Sequence, residues 1–361
     1  MLNSRPFRGV PLAPLLLLVV SGCSPVSDRD PDGRSLVLAH FMSPLSSVRA
    51  DVVVPFAERL AELSEGRLTV TEYMGGALGS SPRGYYSLLL DGVADVVATL
   101  PGYTSAVFPM TALSVYPGVC DSAIECTEAL QRARPMLEDE YRARVLAIWS
   151  ATPPVLVTRD RPVRKLEDLQ GLKLRVSSRL EMPFVEALGA SPVMQPISEV
   201  QQNLHNGVID GVVMTAGGIL PYQLQEAAAY VTTWLPLSAA PFVLLMNRDT
   251  YASLSSAERS WVDQASDAWL SMSGARGYEA TGARGLRVVR EAGVELIDLP
   301  DREKARFEDA VAGTLQAQLA RRRLGDLTVA AVLARSRGRG GACTETRIGA
   351  AAGEATRCNG V

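Results

Sequence analysis

Asp168-Leu169-Gln170-Gly171-Leu172-Lys173-Leu174-Arg175-Val176 decides the architecture. Leu166 to Leu169 make one helical turn, Gly171 breaks it, and Leu172 to Val176 alternate as a strand that carries Arg175 near its carboxyl end. A helix that ends on glycine and feeds a short apolar strand is the repeating unit of an α/β chain.

The same join recurs upstream. Leu36-Val37-Leu38-Ala39 is a buried strand by length and composition, followed by a turn at Ser43 to Ser47 and a helix with Val53, Phe56, Ala57, Leu60 and Leu63 on one face. Glu65-Gly66 ends that helix, and Leu68 to Tyr73 is the next strand. A second helix runs from Pro82 to Asp91, stops at Gly92 and turns into the strand Val96 to Thr99. The phrase returns as Leu204-His205-Asn206-Gly207-Val208-Ile209-Asp210 before Gly211-Val212-Val213-Met214. Both copies read Leu-x-x-Gly-Val-x-Asp followed by a valine strand. With one copy in each half of the chain, the residues after both strands are expected to face a shared cleft, because ligands of open α/β sheets sit beyond the strands' carboxyl ends.

Downstream, Pro241 to Asn247 is an apolar strand. Ser255 and Glu258 form a capping box after Leu254 and open a long helix through Trp261, Ala265 and Trp269, long enough to brace two lobes. Leu286 to Leu299 is another helix-to-strand join, Asp301 to Leu324 a final helix, and 335–361 an Arg-, Gly- and Ala-rich tail with little to bury, read as disordered.

At 361 residues the chain fits two domains of average size. Hydrophobic residues at 47% and charged residues at 21% allow a real core in each. Net charge −3 argues against a nucleic-acid partner, which needs a positive footprint. His40 and His205 are the only histidines, and neither has a partner at zinc-ligand spacing, so no metal and no cofactor is expected.

Arg5 and Arg8 precede an apolar run from Val10 to Val20, then Ser21, Gly22 and Cys23. That order is a Sec signal too short to span a bilayer, which needs about 20 apolar residues. Val20-Ser21-Gly22-Cys23 resembles a bacterial lipobox, predicting lipidation of Cys23 and a membrane contact through the lipid anchor; the alternative is a chance cysteine after small residues. Export makes the other four cysteines informative. Cys120 and Cys126 can close one small loop and Cys343 with Cys358 another, the alternative being four free thiols.

Several motifs together resemble the DctP-type solute-binding proteins of tripartite ATP-independent periplasmic (TRAP) transporters over residues 35–325. They are Phe56-Ala57-Glu58 with Ser64-Glu65-Gly66-Arg67-Leu68, Gly76-Ala77-Leu78-Gly79, Asp91 to Asp95, Arg161-Pro162-Val163, Asp168 to Val176, Gly189-Ala190-Ser191-Pro192 and Asn206 to Gly211. The resemblance implies an α/β, two-lobed periplasmic-binding-protein fold with crossing hinge strands and a long bridging helix, closing by hinge motion. The expected division is a signal peptide at 1–22, a lipid-anchored spacer at 23–34, lobe 1 at 35–152 with 241–275, lobe 2 at 153–240 with 276–334, and the tail. It also implies a periplasmic, non-enzymatic role with TRAP membrane subunits as partners, and a small carboxylate ligand paired by Arg175. A guanidinium suits that task, because its planar fork matches a carboxylate bidentately and stays charged.

Departures from the sialic-acid-binding members set the expected specificity. Phe41, Leu100, Ile197, Met214 and Val155 are apolar where cleft positions there are polar or charged, Val155 at a position that can hold a second arginine. A sugar acid would leave hydroxyls unpaired at about 1–3 kcal/mol each. The expected ligand is therefore a carboxylate with an apolar or compact body: a 2-oxo, branched, aromatic or short monocarboxylic acid. His40, Thr99, Tyr73, Trp149, Ser178, Thr215, Trp234 and Phe242 are secondary cleft candidates, with core packing the alternative for each aromatic. Two rival readings are a periplasmic hydrolase, disfavoured because no Gly-x-Ser-x-Gly occurs, and a lipoprotein that presents its ligand to a sensor or surface complex.

Overall fold

A computed structural model describes residues 33–321. The expected signal segment, Cys23, the pair Cys343 and Cys358, and the tail all lie outside the described residues. Two sheets organise the rest.

The first sheet collects β1 (Arg34–His40), β2 (Leu68–Tyr73), β3 (Val96–Thr99), β4 (Arg144–Ser150) and β10 (Pro241–Met246) in the order β2-β1-β3-β10-β4. The second holds β5 (Pro154–Thr158), β6 (Lys173–Val176), β7 (Ser191–Met194), β8 (Gly211–Thr215), β9 (Tyr230–Thr232) and β11 (Glu295–Ile297) in the order β11-β9-β5-β8-β6-β7. β1 runs parallel to β2 and β3, and β6 runs parallel to β7 and β8, as helical crossovers require. β10 is antiparallel to both of its neighbours, so the chain enters the second sheet through residues 151–153 and returns through 233–240. This is the expected two-lobed α/β fold. The central strands carry continuous apolar runs because helices cover both faces.

Those helices are α1 (Val54–Leu63), α2 (Tyr85–Leu90), α3 (Ala123–Leu137), α4 (Met182–Ala187), α5 (Val200–His205), α6 (Arg248–Ser253), α7 (Ser256–Ser266), α8 (Ala268–Glu291) and α9 (Asp301–Ala320). Phe56 and Leu60 of α1 and Val262 of α7 pack under Leu36 and Leu38 of β1. Val200 and Leu204 of α5 and Val289 of α8 pack on Val157, Val212 and Val231 of the second sheet. Tyr116 and Phe184 meet edge to face at 5.4 Å and join the two lobes' outer cores.

The Ser255–Glu258 capping box forms, but its helix is shorter than expected. Asp267 breaks it at ψ 176° and caps a new helix by accepting the Ala268 N–H at 2.6 Å. The bridge between lobes is this second helix, α8. At about 1.5 Å per residue its 24 residues span about 36 Å. It lies so close to both lobes that a Cβ at Gly274 would sit 2.7 Å from the Trp149 ring, and one at Gly285 would sit 2.7 Å from the Ala216 carbonyl oxygen. Cys120 and Cys126 form a disulfide with Cα atoms 5.2 Å apart, just ahead of and inside α3. Among the described residues no helix is long and apolar enough to cross a membrane.

Candidate ligand-binding cleft

β6 lies between β7 and β8, which places Arg175 opposite Val193 and Val212 and leaves it only 2% exposed. A buried guanidinium needs partners. Nε donates to the Gln195 carbonyl at 3.0 Å, and Nη2 donates to the Tyr103 hydroxyl at 2.8 Å. Gln195 follows β7, whereas Tyr103 follows β3 in the other lobe, so the guanidinium bridges the cleft. The Ile197 N–H also donates to the Tyr103 hydroxyl, at 3.2 Å. Nη1 has no hydrogen-bond partner among the described residues.

The cavity beside Arg175 measures ≈ 100 Å³. That is the same order as the apolar cavity of about 150 Å³ that admits benzene, so the space suits a small, compact body. Phe41, Met42 and Leu100 wall it from the first lobe, Ile197 and Met214 from the second, and Phe242 from the start of β10. Phe242 stacks on Trp149 at 5.8 Å and leans on Tyr278 of α8 at 5.2 Å, so the long helix backs this wall.

Glu181 is the second charged residue at the cavity. It is buried and accepts the N–H groups of Ser177 at 2.8 Å and Ser178 at 3.0 Å, together with the Ser177 hydroxyl. Burial pushes its pKa up, against the opposing pull of the Arg175 charge and the serine N–H groups. Among the described residues no group of three His, Cys, Asp or Glu is arranged to hold a metal ion.

Arg175, Phe41, Leu100, Ile197, Met214, Thr215 and Phe242 line the cavity. His40, Thr99, Trp149, Val155 and Ser178 do not, nor do Tyr73 and Trp234. Strand alternation explains most of the difference, because Phe41, Leu100 and Pro154 face the cavity and their neighbours His40, Thr99 and Val155 turn the other way. His40 instead bonds Glu72 at 2.9 Å, Val155 packs with Val200 and Val212, and Ser178 accepts the Leu180 N–H. Trp149 stands one layer back, behind Phe242. Tyr103, Glu181 and Tyr222 were not legible as cleft residues. The only local signal for Glu181 is the Ser178-x-x-Glu181 spacing, which reads as a helix cap.

Two α/β lobes with an arginine-bearing cavity beyond strands of both define a two-lobed solute-binding protein. The family model for bacterial extracellular solute-binding protein family 7, DctP, matches residues 38–322, and the chain belongs to that family. It is 29% identical to a solute-binding protein of Roseobacter denitrificans over 225 residues, 59% of this chain and 66% of that protein, just under two thirds of the relative. A TRAP solute-binding protein from Rhodoferax ferrireducens in complex with copurified benzoate superposes with TM-score 0.78 at 27% identity, covering 84% of this chain and 98% of that one. A marine metagenome TRAP solute-binding protein specific for aromatic acid ligands, in complex with 3-hydroxybenzoate, gives TM-score 0.80 at 25% identity with the same coverage.

Proposed function

We propose that this chain captures a small monocarboxylate with a compact apolar body, an aromatic acid foremost, and delivers it to the membrane subunits of a TRAP transporter. One observation carries the reading: a buried arginine with a free Nη1 in a cavity whose other walls are mostly apolar. The carboxylate needs a charge partner out of water, and Arg175 supplies it. The ring needs only dispersion and exclusion of water, which Phe41, Leu100, Met214 and Phe242 supply. Similarity to structures holding benzoate and 3-hydroxybenzoate supports the aromatic choice. We infer export to the periplasm and lipid anchoring to a membrane there from the leader and Cys23.

The test is a thermal-shift and calorimetric panel of benzoate, an aliphatic 2-oxo acid, succinate and a sialic acid. Benzoate at about 100 times its Kd stabilises by about 2.7 kcal/mol. Arg175→Ala is expected to abolish that shift, and wild-type affinity in this variant would sink the assignment.

A further inference from the structure

We infer that the Tyr103 hydroxyl, bonded to Arg175 Nη2, is the second donor to the ligand carboxylate, a neutral partner to the charged guanidinium. This role rests on the carboxylate reading above and adds the group that completes its recognition.

Hydrogen-bond capacity assigns the role. A phenol offers one O–H and two acceptor lone pairs. Tyr103 Oη accepts from Arg175 Nη2 at 2.8 Å and from the Ile197 N–H at 3.2 Å, and both partners are nitrogens that can only donate. Its accepting capacity is therefore used, and its own proton has no acceptor among the described residues. Tyr103 is 7% exposed, so bulk water is not the obvious recipient, and the residue lines the cavity. A buried donor without an acceptor is costly, and the cavity is the direction left for it.

The ring cannot swing away to relieve that cost. Phe41 meets it edge to face at 5.6 Å, and at the preceding position a Cβ on Gly102 would lie 3.2 Å from Ser178 Cβ of the other lobe. The hydroxyl therefore stands where Arg175 is, held by two bonds from the second lobe. Two donors side by side match the two oxygens of one carboxylate, the geometry a second arginine would otherwise complete. Because this second donor is uncharged, Arg175 remains the one cationic side chain among the described residues that line the cavity, which favours a monocarboxylate over a dicarboxylate. Acceptance of Arg175 Nη2 and the Ile197 N–H also polarises the phenol, which strengthens its O–H as a donor.

The experiment measures benzoate affinity by calorimetry on the full chain, as wild type, as Tyr103→Phe, and with a ring-fluorinated tyrosine incorporated at position 103. Tyr103→Phe is expected to weaken binding by roughly five- to a hundredfold. The fluorinated ring keeps size and shape but makes the phenol a stronger donor and a poorer acceptor, so it is expected to tighten binding while leaving the unliganded melting temperature level or slightly lower. Benzoate binding unchanged in Tyr103→Phe overturns the inference and leaves the carboxylate reading intact. If the phenylalanine variant fails to fold, the fluorinated protein decides alone, and affinity that is unchanged or weaker there overturns the inference. Wild-type protein that binds none of the acids in the panel removes the carboxylate reading and this inference together.

Discussion

Asp95 and Asp210 make the same pair of bonds in opposite lobes. Asp95 Oδ2 accepts the Val37 N–H at 2.8 Å while its own N–H donates to the Val37 carbonyl at 2.9 Å. Asp210 does the same to Lys173, at 2.8 and 2.9 Å. Each follows a glycine at φ +70°, Gly92 or Gly207, that ends a helix, and each clips a valine strand to a parallel neighbour. In the second lobe that neighbour is β6, so Asp210 fixes the start of the strand that carries Arg175.

The two clips differ in surroundings, and their loss should differ in cost. The Val37 site is partly buried, and Asp95 also accepts the Thr250 hydroxyl at 2.8 Å. Asp95→Ala should cost about 2–3 kcal/mol, since Val37 N–H and the Thr250 hydroxyl lose their acceptor away from water. The Lys173 site is exposed, water replaces the carboxylate there, and Asp210→Ala should cost about 1 kcal/mol. Urea denaturation of both variants checks the ranking, which equal losses would contradict.

The joins were readable because everything they need is local: a helix end, a glycine at positive φ and an apolar run. Arg175 was readable as a strand-end residue for the same reason, by the alternation of Lys173, Leu174 and Arg175. Cleft membership is not local. Tyr103 enters the site because the opposite lobe brings Arg175 and the Ile197 N–H to its hydroxyl, and no spacing in the sequence records that approach. His40 and Val155 sit one residue out of phase with the cavity-facing Phe41 and Pro154, a distinction that requires the sheet's orientation. The Asp267 break hid inside an unbroken apolar periodicity, because a single aspartate caps a new helix without altering the pattern.

α8 offers a direct probe of how the bridging helix supports the cavity. Gly285 faces the backbone carbonyl of Ala216, which cannot rotate away as a side chain would, and the turn from Ala216 to Gly218 forms part of the cavity wall. Gly285→Ala should cost about 1–3 kcal/mol and weaken ligand binding by displacing that turn. A Cβ added at Gly313 in α9 would meet nothing within 4 Å, so Gly313→Ala should stabilise by about 0.5–1 kcal/mol through helix propensity alone. Opposite signs in paired melting curves are the expected result, and two stabilised variants would mean that α8 does not press on Ala216.

His40 should give the protein a step of acid sensitivity. Burial lowers its pKa below 6.5, against the raising influence of Glu72, and Arg49 lowers it further. The folded state then binds a proton less readily than the unfolded chain. Its contribution to stability is complete above the ordinary histidine value and is lost as pH falls from there through the lowered one. His40→Gln, which keeps a donor for Glu72, should flatten the decline in melting temperature as pH falls below the ordinary histidine value. A decline of unchanged slope would assign the acid sensitivity to other groups.

Glu181 should couple ligand capture to protons with the opposite sense. Burial raises its pKa while the Arg175 charge and the serine N–H groups pull it down without cancelling the rise. In the free protein its folded pKa is raised, so the associated stability is present below the ordinary carboxylate range and is lost as pH rises through the raised value. A bound carboxylate adds a like charge in the same cavity and raises Glu181 further, so the complex holds more proton than the free protein. Affinity for benzoate must then strengthen as pH falls through the interval between the free and the bound pKa, by at most about tenfold per pH unit for one proton. Above that interval the ionised Glu181 offsets Arg175 and the anion meets a site of little net charge. Glu181→Gln removes the offset and the titrating group together, so its affinity should exceed wild type at high pH and vary little with pH. Calorimetry in two buffers of different ionisation enthalpy reads the proton uptake directly, and zero uptake in the wild type at every pH from the ordinary carboxylate range upward would exclude Glu181 as the coupled group.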